Sequence, residues 1–251
     1  MIVRGKSELR KKYDSLGPDD VFIGVLAGKG RQHLMLVDLM ERGVKCYPSP
    51  LSQMLNGSKV AQAIVLNNFM PPHTFAISRR HELMEAISRY NQCEIGAVIT
   101  KAAKMHCGHG VRKWENIEML YSYISHSNSE YPFVLQPFLE NFADVRVITA
   151  GDYIEAYTRE NPDNFRQNIS AGGKSSFYKM NQKQKIFCKE IMDRGKFPYG
   201  HIDLQVVDSD TCYLSEIALH GGIKGARIQR TALDEKKKDV LERLASESIY
   251  G

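Results

Sequence analysis

The sequence lacks cysteine pairs at metal-ligand spacing and long apolar runs. Its five cysteines are odd in number and widely spaced, which argues against a structural zinc site or a redox couple. No stretch approaches the roughly 18 apolar residues that a membrane span needs, and the first residues, MIVRGKSELRKKYD, hold no apolar signal segment. We therefore expect a cytoplasmic protein with reduced thiols and no membrane partner.

Dense basic segments are also scarce, although the net charge is +5. The lysines and arginines are scattered, apart from Lys236, Lys237 and Lys238, which we interpret as the solvated face of a helix. Nucleic-acid binding would rest on charge alone and would show a steep dependence on salt. We expect no nucleic-acid partner, whereas an anionic small ligand suits the charge.

What is present is a mixture of helix and strand signals. Near the start, an apolar strand at 21–26, a helical pattern at 34–40 and a second strand at 44–47 predict one βαβ crossover. Gly28-Lys29-Gly30 lies at the turn between strand and helix but matches neither of the phosphate-loop motifs, GxxxxGK(S/T) and GxGxxG. We therefore favour a plain turn over an anion site. The prolines and the glycine at 48, 50, 57, 71 and 72 mark loops and place a boundary near residue 52.

The remaining chain continues this mixture and includes two hairpin-like strand pairs in its second half. We predict helices at 58–68, 80–90, 115–126, 180–194 and 233–246, and strands at 74–77, 96–101, 133–136, 144–149, 153–159, 202–207 and 212–217. This pattern indicates an α+β protein rather than one doubly wound sheet.

A lysine at a strand end and a glycine-rich loop are the first chemical signal. Lys101 ends an apolar strand, and the loop from Met105 to Val111 follows, an arrangement that suits a triphosphate because glycine amides can approach phosphate oxygens. A solvated lysine and a simple turn would look the same. A metal site at His106, Cys107 and His109 is disfavoured, since no further Cys/His pair stands at ligand spacing.

Two acidic residues and a basic stretch are the second signal. Asp203 and Glu216 lie on consecutive predicted strands, and antiparallel pairing would place both carboxylates on one face, where they could hold Mg²⁺. An exposed acidic pair at a sheet edge fits this fragment equally well. The stretch from Tyr157 to Lys174 offers two arginines, an asparagine and paired glycines, a composition suited to phosphate or carboxylate.

Taken in order, these pieces resemble the ATP-grasp superfamily and, within it, the RimK-like group of ribosomal-protein glutamate ligases. The resemblance covers roughly residues 53 to 226 and is most specific in FVLQPFLENFADVRVITAGDYIEAYTRENPDNFRQNISAGGKSS. The matching motifs are Gln136-Pro-Phe-Leu139, Asp144-Val-Arg146, Arg159 and the segment from Asn168 to Gly173.

The resemblance implies an α+β ATP-grasp fold, with two lobes that sandwich ATP, behind a short N-terminal α/β unit that looks like a truncated Rossmann-like βαβ unit. It places this unit at 1–52, a small lobe with the glycine-rich lid at 53–132, and a large lobe with the metal and phosphate site at 133–251. It also implies roles for individual residues. Lys59, Lys101, Gln136, Phe138, Leu139 and Asp144 would bind the nucleotide, Arg159 and Asn168 would be catalytic, and Asp203 and Glu216 would be metal ligands.

The chain departs from the family pattern in three respects. The family ends in E-x-N, with the amide as a further metal ligand, whereas this chain has Glu216-Ile217-Ala218. Pro137 also replaces the acid of the hinge, and only 58 residues precede Lys59.

The implied activity is an ATP-dependent carboxylate–amine ligase that works through an acyl phosphate and adds an amino acid such as glutamate to a peptide or small-molecule carboxylate. ATP and Mg²⁺, with Mn²⁺ as a substitute, are the implied cofactors. The partners would be a carboxylate and an amine, including a peptide or protein C-terminus, and a homo-oligomer is compatible with the sequence. The alternative, motivated by Ala218, is a nucleotide-binding pseudo-ligase or regulatory module with little turnover.

Overall fold

The computed structural model describes residues 1–26, 30–103, 110–126, 131–161 and 173–250, and these residues form three β-sheets with packed helices. Gly28, Lys29, most of the predicted glycine lid and Asn168 lie outside the described residues. No helix in the described part of the chain is both long and apolar enough to cross a bilayer.

The first sheet is parallel and contains the predicted βαβ crossover. Its elements are β1 (Ile2–Arg4), α1 (Gly5–Lys12), β2 (Val21–Ile23), α2 (Gly30–Glu41) and β3 (Lys45–Tyr47). The strand order is β1-β2-β3, and both pairings are parallel. β1 and α1 precede the predicted crossover and extend it by one strand and one helix.

The second sheet is antiparallel and follows two short helices. Its elements are α3 (Pro50–Leu55), α4 (Lys59–Val65), β4 (Phe75–Ile77), α5 (Arg80–Gln92), β5 (Val98–Ala102), β6 (Val111–Trp114), α6 (Ile117–His126) and β7 (Phe133–Pro137). The strand order is β4-β7-β5-β6, so β5 and β7 occupy the middle. Residue 52, at which the first predicted unit ends, lies within α3, and the division into units stays a prediction.

The third sheet is the largest and is antiparallel throughout. Its elements are β8 (Ala143–Ala150), β9 (Tyr153–Glu160), β10 (Lys174–Phe177), α7 (Gln182–Gly195), β11 (Tyr199–Val206), β12 (Cys212–Ala218) and α8 (Arg230–Tyr250). The strand order is β10-β9-β8-β11-β12. The two predicted hairpins are therefore present as β8–β9 and β11–β12.

Local sequence signals explain where α7 begins and ends. The Asn181 side chain accepts from the backbone of Gln184, and the Gln184 side chain accepts from the backbone of Asn181, which satisfies two N-terminal amides. The helix ends at Gly195, and the next residue, Lys196, caps it in a left-handed conformation with φ 57°. Between these two ends, α7 packs against β11.

One hydrophobic core joins the three sheets. It contains Ile23 from β2, Val134 from β7, Val147 and Ile202 from the large sheet and Leu233 from α8, all buried. Burial of apolar surface across sheet boundaries holds the sheets in a common packing unit. The charged residues of the large sheet are consequently fixed relative to the small sheet.

α8 contains the predicted lysine run, and part of that interpretation is wrong. Lys236 and Lys238 are exposed, but Lys237 is buried. Lys237 stands four residues from both Leu233 and Leu241, which are also buried, so it lies on the inward stripe of the helix.

Candidate functional site

Strand register gathers the charged residues of the large sheet. Asp144 lies opposite Arg159, Arg146 lies opposite Asp203, and Asp203 lies opposite Glu216. Directly opposite residues of an antiparallel pair point to the same face. The predicted pairing of Asp203 with Glu216 is therefore present, and one face carries all five side chains.

Four of these side chains form a connected charge network. Arg146 donates to both carboxylate oxygens of Asp203, each at 2.7 Å. Arg159 lies 3.1 Å from Asp203 Oδ2 and donates from Nε to Asp144 Oδ1 at 3.0 Å. The Asp203 side chain is only 15% exposed, which is inconsistent with a solvent-exposed acidic pair. Bidentate pairing of this kind fixes the guanidinium planes.

The two aspartates of this network differ in their protonation. Burial raises the pKa of Asp203, but Arg146 and Arg159 outweigh burial and hold that pKa well below its usual value. Burial also raises the pKa of Asp144, to about 6; Arg159 and Arg146 oppose this rise, whereas the negative charge of Asp203 adds to it. Asp203 is therefore ionised at neutral pH, and Asp144 is the more easily protonated partner.

Lys101 reaches this face from the small sheet. It stands on β5, and its Nζ lies 3.3 Å from both the carbonyl oxygen and Oγ of Ser215, the residue before Glu216. Burial lowers the pKa of Lys101 to about 8; Glu216 opposes the shift and Lys59 adds to it. The lysine thus lies between the two sheets, with the acids of one sheet and a second cation nearby.

α4 positions Lys59 beside the same strand. Lys59 is its first residue, after Ser58, whose hydroxyl accepts from the backbone of Ala61 at 3.3 Å. Further along the helix, the Gln62 side chain donates to the carbonyl of Ile217 at 2.8 Å and accepts from its N–H at 3.0 Å. The amide of Gln62 therefore substitutes for a neighbouring strand at the edge of β12 and holds α4 against it.

The predicted hinge lies on the same side of the small sheet as Lys101. Gln136 pairs with Ile99, two residues before Lys101, and is buried. Its Nε2 donates to Thr74 Oγ1 at 3.0 Å, while no donor in the described part of the chain reaches its Oε1. Phe138 donates from its backbone to Ala97 at 2.9 Å and lies under the Lys113 ammonium, 3.6 Å from the ring centroid. Leu139 follows, half-buried.

The donor set fits a divalent cation held by few protein ligands. Asp203 and Glu216 place two carboxylates on paired strands, and both oxygens of Asp203 accept hydrogen bonds from Arg146. No group of three or more His, Cys, Asp or Glu residues arranged to hold a metal ion occurs among the described residues. Ala218 adds no ligand. Mg²⁺ retains several waters in protein sites, so two carboxylates beside bound phosphates are sufficient donors.

A buried polar pair adjoins this face and is absent from the sequence predictions. His201 lies opposite Ala218 on β11, and its Nε2 is 3.1 Å from Nζ of Lys237, which also donates to the carbonyl of Leu219 at 2.9 Å. Burial lowers the pKa of His201 to about 3 and that of Lys237 to about 8. The neutral imidazole can therefore accept from the ammonium. The sequence offered one signal for this pair: His201 stands two residues before Asp203 on the same strand and so faces the same side.

The structure brings together most of the predicted site residues. Lys59, Lys101, Arg159, Asp203 and Glu216 converge where the two sheets meet, and Asp144 joins them through Arg159. Gln136, Phe138 and Leu139 lie on the small sheet and just beyond its β7 strand. Asn168 lies outside the described residues.

Three solved structures share the fold at low sequence identity. D-Alanine–D-alanine ligase from Bacillus anthracis is 15% identical, with a TM-score of 0.62, over 96% of this chain and 85% of that one. A RimK-domain ATP-grasp protein from Sphaerobacter thermophilus is 15% identical, with a TM-score of 0.55, over 92% and 81%. A RiPP-associated ATP-grasp ligase from Chryseobacterium gregarium, solved with ADP and with a leader and core peptide, is 16% identical, with a TM-score of 0.57, over 85% and 67%.

Sequence comparison identifies the family. A search of curated proteins gave no significant match. Residues 56–241, however, match the RimK-like ATP-grasp domain, which is most of the chain and includes every described residue of the charged face. The fold is accordingly the α+β ATP-grasp fold, and the chain belongs to the RimK-like ATP-grasp family.

Proposed function

We propose that the protein is an ATP-dependent carboxylate–amine ligase that adds an amino acid such as glutamate to a peptide or small-molecule carboxylate. The observation that carries this proposal is the position of Lys101, which reaches from the small sheet to the strand that bears Glu216. Cations from one sheet and carboxylates from the other suit a nucleotide triphosphate with its metal.

The nucleotide would lie between the two sheets. Gln136 has a buried acceptor, Oε1, that suits the amino group of adenine, and Phe138 and Leu139 follow it as the hinge. Arg159 uses only Oδ1 of Asp144, so no described donor occupies Oδ2, which suits a ribose hydroxyl. Lys59 and Lys101 would bind the phosphates as positive charges.

The first chemical step transfers the γ-phosphoryl group of ATP to a carboxylate oxygen of the substrate and leaves ADP. Arg159 would stabilise the charge on the transferred group, since its side chain is already oriented by Asp144 and Asp203. Asp203 and Glu216 would hold Mg²⁺, which when bound supplies charge neutralisation at the phosphates. Asn168 remains a proposed catalytic residue.

The second step joins the amine to the activated acid. The amine nitrogen attacks the acyl carbon, the C–N bond forms, the bond from carbon to the phosphate oxygen breaks, and the nitrogen loses a proton. Phosphate is the second product. Positioning of the two substrates accounts for much of the rate enhancement in such a reaction, because the protein itself forms no covalent bond with them.

The test is ADP release in the presence of pools of carboxylates, peptides and amino acids. We expect ADP and phosphate to form only when a carboxylate and an amine are both present. Arg159→Lys should reduce the rate by at least about tenfold, because Lys lacks the planar group that contacts Asp144 and Asp203 together. Lys11→Gln, a change of an exposed lysine outside the site, should leave the rate unchanged. Nucleotide binding without turnover in any pool would exclude a ligase.

Ala218 favours a second candidate, a nucleotide-binding module with little turnover. It stands where the resemblance places the amide ligand, and its side chain supplies no oxygen. Two carboxylates then remain beside the phosphates, one of them held by two guanidiniums. In such a site the nucleotide still binds, but the γ-phosphoryl group is no longer aligned for transfer.

Ala218→Asn distinguishes the two candidates. Ala218 is half-buried at the end of β12, on the side of the strand that carries Glu216, so an added amide can reach the site. We expect the Mg²⁺ concentration for half-maximal nucleotide binding to fall by about twofold to tenfold, since one tethered ligand is worth about 1 kcal/mol. Ala218→Val adds bulk without an oxygen and should not reproduce the change. A gain of turnover in Ala218→Asn alone would support the pseudo-ligase.

A further inference from the structure

A pocket lies on the large sheet at the start of β9, on the same side of the sheet as the charged face but four residues along the strand from Arg159. Its volume is about 620 Å³, and it is an open pocket lined by the start of β9, the segment 177–180, the first turn of α7 and the beginning of α8. We call it the basic pocket. Pockets of 300–1,000 Å³ accommodate ligands the size of a few amino-acid residues.

The charge of the basic pocket is predominantly positive. Four exposed cationic side chains line it, namely Lys179, Lys185, Arg227 and Lys236, whereas Glu155 is the only acidic residue among the described lining residues. Glu155 is buried, and both of its carboxylate oxygens are engaged: Oε1 accepts from the Arg227 amide at 2.7 Å, and Oε2 accepts from the Tyr153 hydroxyl. A ligand therefore meets four cations and an acid that is already hydrogen-bonded.

Aromatic rings hold two of these cations in place. The Arg227 guanidinium lies 4.3 Å from the Phe177 ring centroid, and the Lys236 ammonium lies 5.8 Å from the Tyr153 centroid. Phe177 is 60% exposed, which is unusual for an aromatic residue with no polar group. Cation–π contacts reduce the conformational freedom of the charged groups before a ligand arrives, and the exposed ring offers apolar surface.

The basic pocket lies within reach of the charged face. Glu155 and Arg159 point to the same side of β9 and are four residues apart, about 13 Å at 3.3 Å per residue. An extended peptide spans that distance with about four residues. A peptide bound in the basic pocket can therefore place a neighbouring carboxylate near Arg159.

We propose that the basic pocket binds an acidic segment of the peptide substrate, with Asp or Glu side chains facing Arg227, Lys236, Lys179 and Lys185. This inference rests on the proposed ligase function and names its peptide class. The acidic segment lies about four residues along the chain from the carboxylate that reacts. A peptide combines carboxylates with apolar groups, which matches cations arranged around an exposed Phe177.

The test uses fluorescence anisotropy with two labelled eight-residue peptides on the full chain. One peptide contains four Glu residues, and the other has Gln at the same four positions. We expect the Glu peptide to bind and the Gln peptide to bind at least about tenfold more weakly, because charge-assisted contacts are lost. The same comparison with the double variant Arg227→Gln/Lys236→Gln should show about tenfold weaker binding of the Glu peptide.

The matched control is Lys11→Gln/Lys238→Gln, which changes the net charge equally and leaves the basic pocket intact; Lys238 lies on the same helix as Lys236. It should bind the Glu peptide within about twofold of the unmodified chain. Equal weakening in both double variants, or equal binding of both peptides, would overturn the proposal. Tighter binding of a single-stranded oligonucleotide that depends on Arg227 and Lys236 would overturn it in favour of nucleic acid.

ADP binding is measured in parallel to separate the two proposals. If ADP binds and the Glu peptide does not, the basic pocket proposal fails and the ligase proposal stands. If the Glu peptide binds as expected and ADP does not, the ligase proposal fails and the pocket remains a peptide site. Unchanged ADP affinity in both double variants also shows that they are folded.

Discussion

At the scale of single residues, Lys101 is the side chain whose chemistry the fold changes most directly. Burial lowers its pKa to about 8 from about 10.5 in the unfolded chain. Between pH 8 and pH 10.5, therefore, much of the folded protein carries Lys101 as a neutral amine. Between those values the unfolded chain binds more protons than the folded one, and folding stability rises with pH because of this group.

We predict that nucleotide binding at pH 8.5 takes up a proton at Lys101. Triphosphate oxygens beside the ammonium favour its charged form and raise its pKa. Titration calorimetry with ADP and Mg²⁺ in two buffers of different ionisation enthalpy measures this uptake. Lys101→Arg, which stays charged, should bind ADP without it, and an unchanged proton uptake in that variant would contradict the assignment to Lys101.

At the scale of elements, the edge of β12 depends on one side chain. Gln62 donates to the carbonyls of Leu55 and Ile217 and accepts from the N–H of Ile217. An unpaired strand edge would leave these backbone groups unsatisfied beside the site.

We predict that Gln62→Leu lowers the free energy of unfolding by about 2–4 kcal/mol, because it leaves buried backbone groups without partners. ADP affinity should fall too, since α4 carries Lys59. Urea denaturation and ADP binding measure the two effects. Ile64→Ala, on the exposed side of the same helix, should change the stability by no more than about 0.5 kcal/mol. An equal loss in both variants would show that Gln62 has no special role at this edge.

Helices and strands with a clear hydrophobic pattern in the sequence were predicted, and those without one were missed. The β11–β12 hairpin and its Asp203–Glu216 pairing were predictable because alternating apolar residues fix strand register. β10 was missed because its four residues, KSSF, are all exposed and carry no alternation. α3 was missed because Pro50 was interpreted as a loop signal, although it follows the capping residue Ser49, and proline is well tolerated at the first helical position.

The site was predictable only in part, for a related reason. Arg146 belongs to a motif that the sequence displays, but its bidentate contact with Asp203 depends on the pairing of β8 with β11, which local sequence does not specify. The buried Lys237–His201 contact was missed because a run of three lysines looks solvated, and only the packing of α8 decides which lysine faces inward.

At the scale of the whole molecule, the candidate site belongs to no single sheet. The small sheet provides Lys101 and the hinge, the large sheet provides the acids and arginines, and one hydrophobic core links both to the N-terminal strands. A ligand that contacts both sheets should therefore stabilise the folded chain as a whole, by an amount that depends on its concentration relative to Kd.

We predict that a non-hydrolysable ATP analogue with Mg²⁺, at about 100 times its Kd, raises Tm by about 5–10 °C. Binding at that ratio contributes about 2.7 kcal/mol, and 1 kcal/mol corresponds to about 2–4 °C for a chain of this size. AMP at the same concentration should shift Tm less, because it lacks the outer phosphates that Lys59 and Lys101 are proposed to bind. Differential scanning fluorimetry measures both shifts. Equal shifts from the two nucleotides would place the phosphates away from these lysines, and the convergence of cations and acids between the sheets would then need another ligand.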